Sequence, residues 1–120
     1  MSDYRLGQIE AQFADIIWKN QPLASSELVR LSLDELNWKK STTYTVLRRL
    51  CERGIFVNDG GTVKALISRE EFYSRQSTEF VEDSFKGSLP AFLAAFTKNK
   101  SLSQEDVNEI RRMIDSYEEG

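Results

Sequence analysis

Apolar residues return at helical spacing from the start of the chain. In LGQIEAQFADIIWKN, Leu6, Ile9, Phe13, Ile16 and Ile17 recur at three- and four-residue intervals and Trp18 closes the run, which predicts a helix over about 7–20. Pro22 ends it. SSELVRLSLDEL predicts a second short helix over about 25–35, with Ser25 or Ser26 as N-cap and Leu28, Val29 and Leu31 on one side. Asn37 and Trp38 punctuate before a third pattern over about 40–53. There Thr43, Val46, Leu47 and Leu50 face inward, and Gly54 stands where a left-handed cap commonly ends a helix. IFVNDGGTVKALI follows with two short β-prone runs around Asn58-Asp59-Gly60-Gly61, residue types that accept the positive φ of a tight hairpin. Three helices and a two-stranded wing, in that order, make a winged helix-turn-helix, whose third helix enters the major groove of DNA.

After residue 70 the periodicity stays helical. A helix over about 70–86 carries Phe72, Tyr73, Phe80, Val81 and Phe85; a second opens with Ser88 and Pro90 and is striped by Leu89, Phe92, Leu93 and Phe96. Thr97 to Ser101 reads as a polar loop. Ser103 then caps a third helix, with Asp106 three residues on and Leu102 and Val107 as a hydrophobic staple; Val107, Ile110, Ile114 and Tyr117 form its stripe. The expected fold is mainly α with a small β-hairpin: a winged DNA-binding domain at 1–70 and a three-helix region at 71–120. About 48 residues in three short helices bury too little alone, so their apolar faces meet either a second copy, as a dimerisation region, or the winged domain.

Charge sharpens the expectation for the third helix. The chain of 120 residues has net charge -3. Yet between Leu36 and Arg69 seven basic residues (Lys39, Lys40, Arg48, Arg49, Arg53, Lys64, Arg69) stand against two acidic ones (Glu52, Asp59), a local +5 suited to phosphate. Residues 73–120 hold six basic and nine acidic residues, a local -3. At about 100° per residue, Ser41, Tyr44, Thr45, Arg48 and Glu52 gather opposite the apolar face, flanked by Thr42, Arg49 and Arg53. Lys40, Ser41, Tyr44, Thr45 and Arg48 are the candidates for bases and nearby phosphates; Lys39, Thr42, Arg53 and Lys64 are the candidates for the backbone. Arg49 either joins them or pairs with Glu10 or Glu27. The rival is a winged-helix scaffold that binds a protein and no DNA, for which the local positive charge has no use.

Composition excludes other classes. With 40% hydrophobic and 11% aromatic residues the chain has the material of a folded core. The longest apolar clusters, such as FLAAF, fall far short of the roughly 20 residues that span a bilayer, and no signal-peptide pattern opens the chain, so no membrane insertion and a cytoplasmic location are expected. There is no histidine and one cysteine, Cys51, which removes the usual zinc, copper and His-dependent catalytic sites. Neither an enzyme nor a cofactor or metal is expected. Cys51 reads as a small buried or half-buried thiol, and Trp18 and Trp38 as core or groove-rim packing.

These residues resemble the penicillinase repressor family of bacterial winged-helix repressors. Leu6, Glu10, Ile17 and Trp18 match the family in helix one. Trp38, Thr42, Thr45, Leu47, Arg49, Leu50 and Gly54 match its Trp, Thr-x-x-Thr-x-Leu-x-Arg-Leu and Gly. FKGSLPAFLAAF and LSQEDVNEI resemble its Phe-x-Gly-Ser segment and final Leu-Ser-x-Glu helix. The resemblance implies a homodimer that represses transcription from a dyad-symmetric double-stranded DNA operator, paired through the stripes named above. It also implies relief by a regulatory protease at the family's Asn-Phe bond, which reads Ala95-Phe96 here, a departure at the first position. A copper-sensing branch of the family uses a cysteine-rich C-terminal motif; no cysteine follows Cys51. Lys39-Lys40-Ser41 departs from the family's Ser-Pro-Lys type, so the operator sequence does not carry over.

Overall fold

In the computed structural model, residues 4–117 are described, and the apolar stripes become six helices and one small sheet among them. In chain order these are α1 (Gln8–Asn20), β1 (Leu23–Ala24), α2 (Ser25–Leu36), α3 (Lys40–Glu52), β2 (Phe56–Asp59), β3 (Thr62–Ala65), α4 (Arg69–Phe85), α5 (Leu89–Asn99) and α6 (Gln104–Asp115). The chain divides inside α4, after Glu79, into two compact units.

The first unit is the winged helix. Gly7 opens α1 by donating its N–H to Glu10 Oε1 at 3.2 Å, and Phe13, Ala14, Ile16 and Ile17 are buried along one face. Ile9 departs from the expected stripe. It lies in the first turn and is 50% exposed, while Tyr4 and Leu6, from the segment before the helix, pack against the core. Trp18 and Trp38 are core packing. The Trp18 indole donates to the Ile67 carbonyl at 3.0 Å and lies 5.2 Å from the Phe56 ring, and Trp38 lies 5.0 Å from Phe13.

The wing has three strands, not the expected two. Leu23 and Ala24 pair antiparallel with Val63 and Thr62, giving the order β1-β3-β2. This also displaces the expected serine cap. Ala24 is the N-cap of α2 with no side-chain acceptor, because Ser25 follows the strand directly and its N–H goes to the Gly61 carbonyl at 2.8 Å. Within α3, Thr43, Val46, Leu47 and Leu50 are buried, as their spacing requires, against a core that includes Leu28, Ile55, Phe56 and Val63. The helix ends before Gly54, at φ +78°. At the hairpin tip Gly60 and Gly61 take φ +59° and +94°, the two-residue turn that matches strand twist, and Asn58 Oδ1 accepts from the Gly61 N–H at 3.0 Å. Phe72 of α4, expected on a stripe of the C-terminal helices, is fully buried in this core, where an aromatic side chain contributes about 1.5–3 kcal/mol.

The second unit begins at Phe80. Phe80, Phe85 and Phe92 meet edge to face, with centroids 5.6 Å apart for the Phe85–Phe92 pair. Ser88 Oγ accepts from Ala91 N–H at 3.1 Å with Pro90 in the first turn of α5, and Ser103 Oγ accepts from Asp106 N–H at 3.0 Å at α6, the latter the expected cap. The expected polar loop is mostly helix. Thr97, Lys98 and Asn99 complete α5, where the Thr97 hydroxyl donates to the Leu93 carbonyl at 2.8 Å and so needs no solvent. Phe85, Phe92, Leu93, Val107 and Ile110 are half-buried, whereas Phe80, Leu89, Phe96, Met113, Ile114 and Tyr117 are exposed, the last by 73%. Among the described residues no helix is long and apolar enough to cross a membrane.

Candidate nucleic-acid interface

The outward side of α3 follows from burying its other side. With Thr43, Val46, Leu47 and Leu50 fixed inward, Ser41, Thr42, Thr45, Arg48 and Arg49 are exposed along the helix, and Lys39 and Lys40 are exposed at its start. Lys39, the N-cap, provides no side-chain acceptor, which leaves first-turn amides available to an outside anion. Among the described residues Lys39, Lys40 and Arg48 form no ion pair. No described carboxylate holds them within 4.0 Å, so each is free to pair with a phosphate.

The remaining basic residues are engaged to different degrees. Arg49 Nη1 stands 3.9 Å from Glu10 Oε2, while Glu27 is taken by Arg30 at 3.0 Å. So exposed and long an ion pair contributes about 0–1 kcal/mol and yields readily to a phosphate. Lys64, on β3, is 4.0 Å from Asp59 across the hairpin. Arg53 is half-buried and donates to the Arg5 carbonyl. Arg69 does not belong to this surface: its Nε donates to Asp15 Oδ1 at 2.8 Å, and its guanidinium lies 4.8 Å from the centre of the Tyr73 ring, fastening α4 to α1. Without it, six basic residues face two acidic ones between 36 and 68, a local +4.

Tyr44, Leu47, Arg48 and Cys51 of α3 face Val57 and Asn58 of β2 across a groove of about 430 Å³. Tyr44 is half-buried, and its hydroxyl donates to Ser25 Oγ at 3.0 Å. Burial pushes the pKa of the Cys51 thiol up, against a smaller opposite pull from a hydrogen bond with the Asn58 backbone. Ser25 and Asn58 read from the sequence as a cap and a turn residue, and not as a partner of Tyr44 and a wall of this groove. The contact from Ser25 to Tyr44 spans 19 residues and leaves no periodic trace, although Asn58 three residues before Gly61 is a recognisable side-chain turn signal.

Comparison with known proteins identifies the family of the chain. The sequence profile described as "Penicillinase repressor" matches residues 6–116. The methicillin resistance regulatory protein MecI of Staphylococcus aureus is 22% identical over 116 residues, covering 92% of this chain and 94% of that protein. The penicillinase repressor of Bacillus licheniformis is 22% identical over 117 residues, covering 94% and 91%. The MecI protein of Mammaliicoccus sciuri is 21% identical over 116 residues.

Proposed function

From the premise that the chain belongs to the penicillinase repressor family, and so to the DNA-binding transcriptional repressors, we propose that it acts as a homodimer on a dyad-symmetric promoter operator. The observation that carries this is the unpaired Lys39, Lys40 and Arg48 on the outward side of α3. Arg48, Thr45 and Ser41 read base edges, with Lys40 at bases or nearby phosphates; Lys39, Thr42, Arg49, Arg53 and Lys64 hold phosphates. The second unit joins two copies. Its exposed Phe80, Leu89, Phe96, Ile114 and Tyr117, with the half-buried Phe85, Phe92, Leu93, Val107 and Ile110, supply the self-complementary apolar patch that a two-fold dimer requires.

Relief of repression by a protease is part of the same proposal. Ala95 and Phe96 are exposed but lie within α5, so a protease that needs an extended substrate reaches that bond only when α5 opens locally. The primary test is selection of duplexes from a random-sequence pool, followed by titration at several salt concentrations. With four cationic phosphate contacts per protomer, from Lys39, Arg49, Arg53 and Lys64, log K is expected to fall against log salt with a slope of about -7 for the dimer. Failure to enrich a dyad, or binding indifferent to salt, overturns the proposal in favour of a protein-binding scaffold.

A further inference from the structure

Resting on that DNA-binding reading, we propose that Tyr44 and Ser25 are positioning residues that fix the setting of α3 against the wing and do not themselves read bases. Three hydrogen bonds in series support this. Tyr44 Oη donates to Ser25 Oγ at 3.0 Å, the Ser25 N–H donates to the Gly61 carbonyl at 2.8 Å, and the Gly61 N–H donates to Asn58 Oδ1 at 3.0 Å. Asn58 and Tyr44 line the same groove between α3 and β2, so the series runs from one wall to the other through the start of α2 and the hairpin turn. Ser25 carries two of the three bonds, one by its side chain and one by its backbone.

Tyr44 sits among the outward residues of α3, yet it alone of Ser41, Tyr44, Thr45 and Arg48 is half-buried. Its phenolic proton is already given to Ser25, and offering that proton to a base requires breaking the bond. The Cys51 thiol makes a second link from α3 to the wing, with the Asn58 backbone, but only the series through Ser25 reaches the hairpin turn at Gly61. A wing free to shift by about 1 Å misplaces the groups that meet the backbone beside the helix. One such bond corresponds to about 2- to 12-fold in affinity per half-site, from a net worth of about 0.5–1.5 kcal/mol.

The test uses full-length protein and a fluorescently labelled duplex that the wild type enriches from a random pool. Tyr44→Phe and Ser25→Ala are each expected to weaken binding about 2- to 12-fold per half-site. The double variant loses no more than the larger single loss, because both remove one bond. Ser25→Thr, which keeps the hydroxyl, binds like wild type. Pool selection repeated with Tyr44→Phe returns the wild-type base preferences. Additive losses, or a changed preference at one base pair, make Tyr44 a direct reader and overturn the inference. Wild-type binding with unaffected variants overturns it alone, whereas a wild type that enriches no duplex brings down the DNA-binding reading as well.

Discussion

Thr43 is fully buried between the helices of the winged unit, and its hydroxyl oxygen has no hydrogen-bond partner among the described residues. Thr43→Val replaces that hydroxyl by a methyl of nearly the same shape, keeps the β-branch, and leaves helix propensity almost unchanged. A buried hydroxyl without a partner is destabilising by about 1–3 kcal/mol relative to a satisfied one, and the variant removes that penalty. Allowing for imperfect fit of the new methyl, the expected gain is about 1 kcal/mol. For a unit ending at residue 79, each kcal/mol raises the melting temperature by about 4–8 °C. Urea denaturation followed by tryptophan fluorescence reads the change directly, since Trp18 and Trp38 both pack in this core. Thr45→Val, on the exposed side, is the control and should stay within about 0.5 kcal/mol of wild type. A loss of stability in Thr43→Val refutes the reasoning, because it means that the hydroxyl is satisfied in solution.

Arg48→Ala should cost about 1–3 kcal/mol of operator affinity and relax preference at one base position; equal losses on all duplexes would make Arg48 a phosphate contact. Removing residues from Phe80 onward should leave a folded, monomeric winged unit with much weaker operator binding, checked by light scattering and band shift. Undiminished binding by that fragment would refute the dimer. For Cys51, burial raises the thiol pKa, so the folded state holds this proton more tightly than the unfolded chain does. The resulting stability is complete below the ordinary value of 9.0 and is lost as pH rises through the raised one. Cys51→Ala should therefore flatten the alkaline decline of stability; an unchanged decline in denaturant titrations would assign it elsewhere.

What the sequence makes legible depends on how local each cause is. The inward set of α3 is read directly from 3.6-residue spacing, and Ser103 is read as a cap because the bond it makes closes within three residues. Gly60 and Gly61 announce their turn by type. By contrast β1 has two residues, too few to show alternation, and its existence depends on β3 some forty positions away. That pairing is also why the serines beside it do not cap α2. Arg69 counts toward the local positive charge in the sequence, and Asp15, 54 residues distant, claims it. Tyr44 likewise shares a helix side with Arg48 but not its freedom, because Ser25 lies across the fold.

Gly61 has both backbone groups engaged, φ +94°, and open space where a Cβ would stand. Room is therefore not what excludes a side chain there; handedness is. An L-alanine at this position strains the backbone, whereas its mirror image is at ease with positive φ. Built by chemical ligation with D-alanine at 61, the protein should be stabilised by about 0.4–1 kcal/mol through a less disordered unfolded chain, and L-alanine should destabilise it. The chirality of one methyl group thus decides whether the wing tip, which faces solvent and touches nothing there, tightens or loosens the fold.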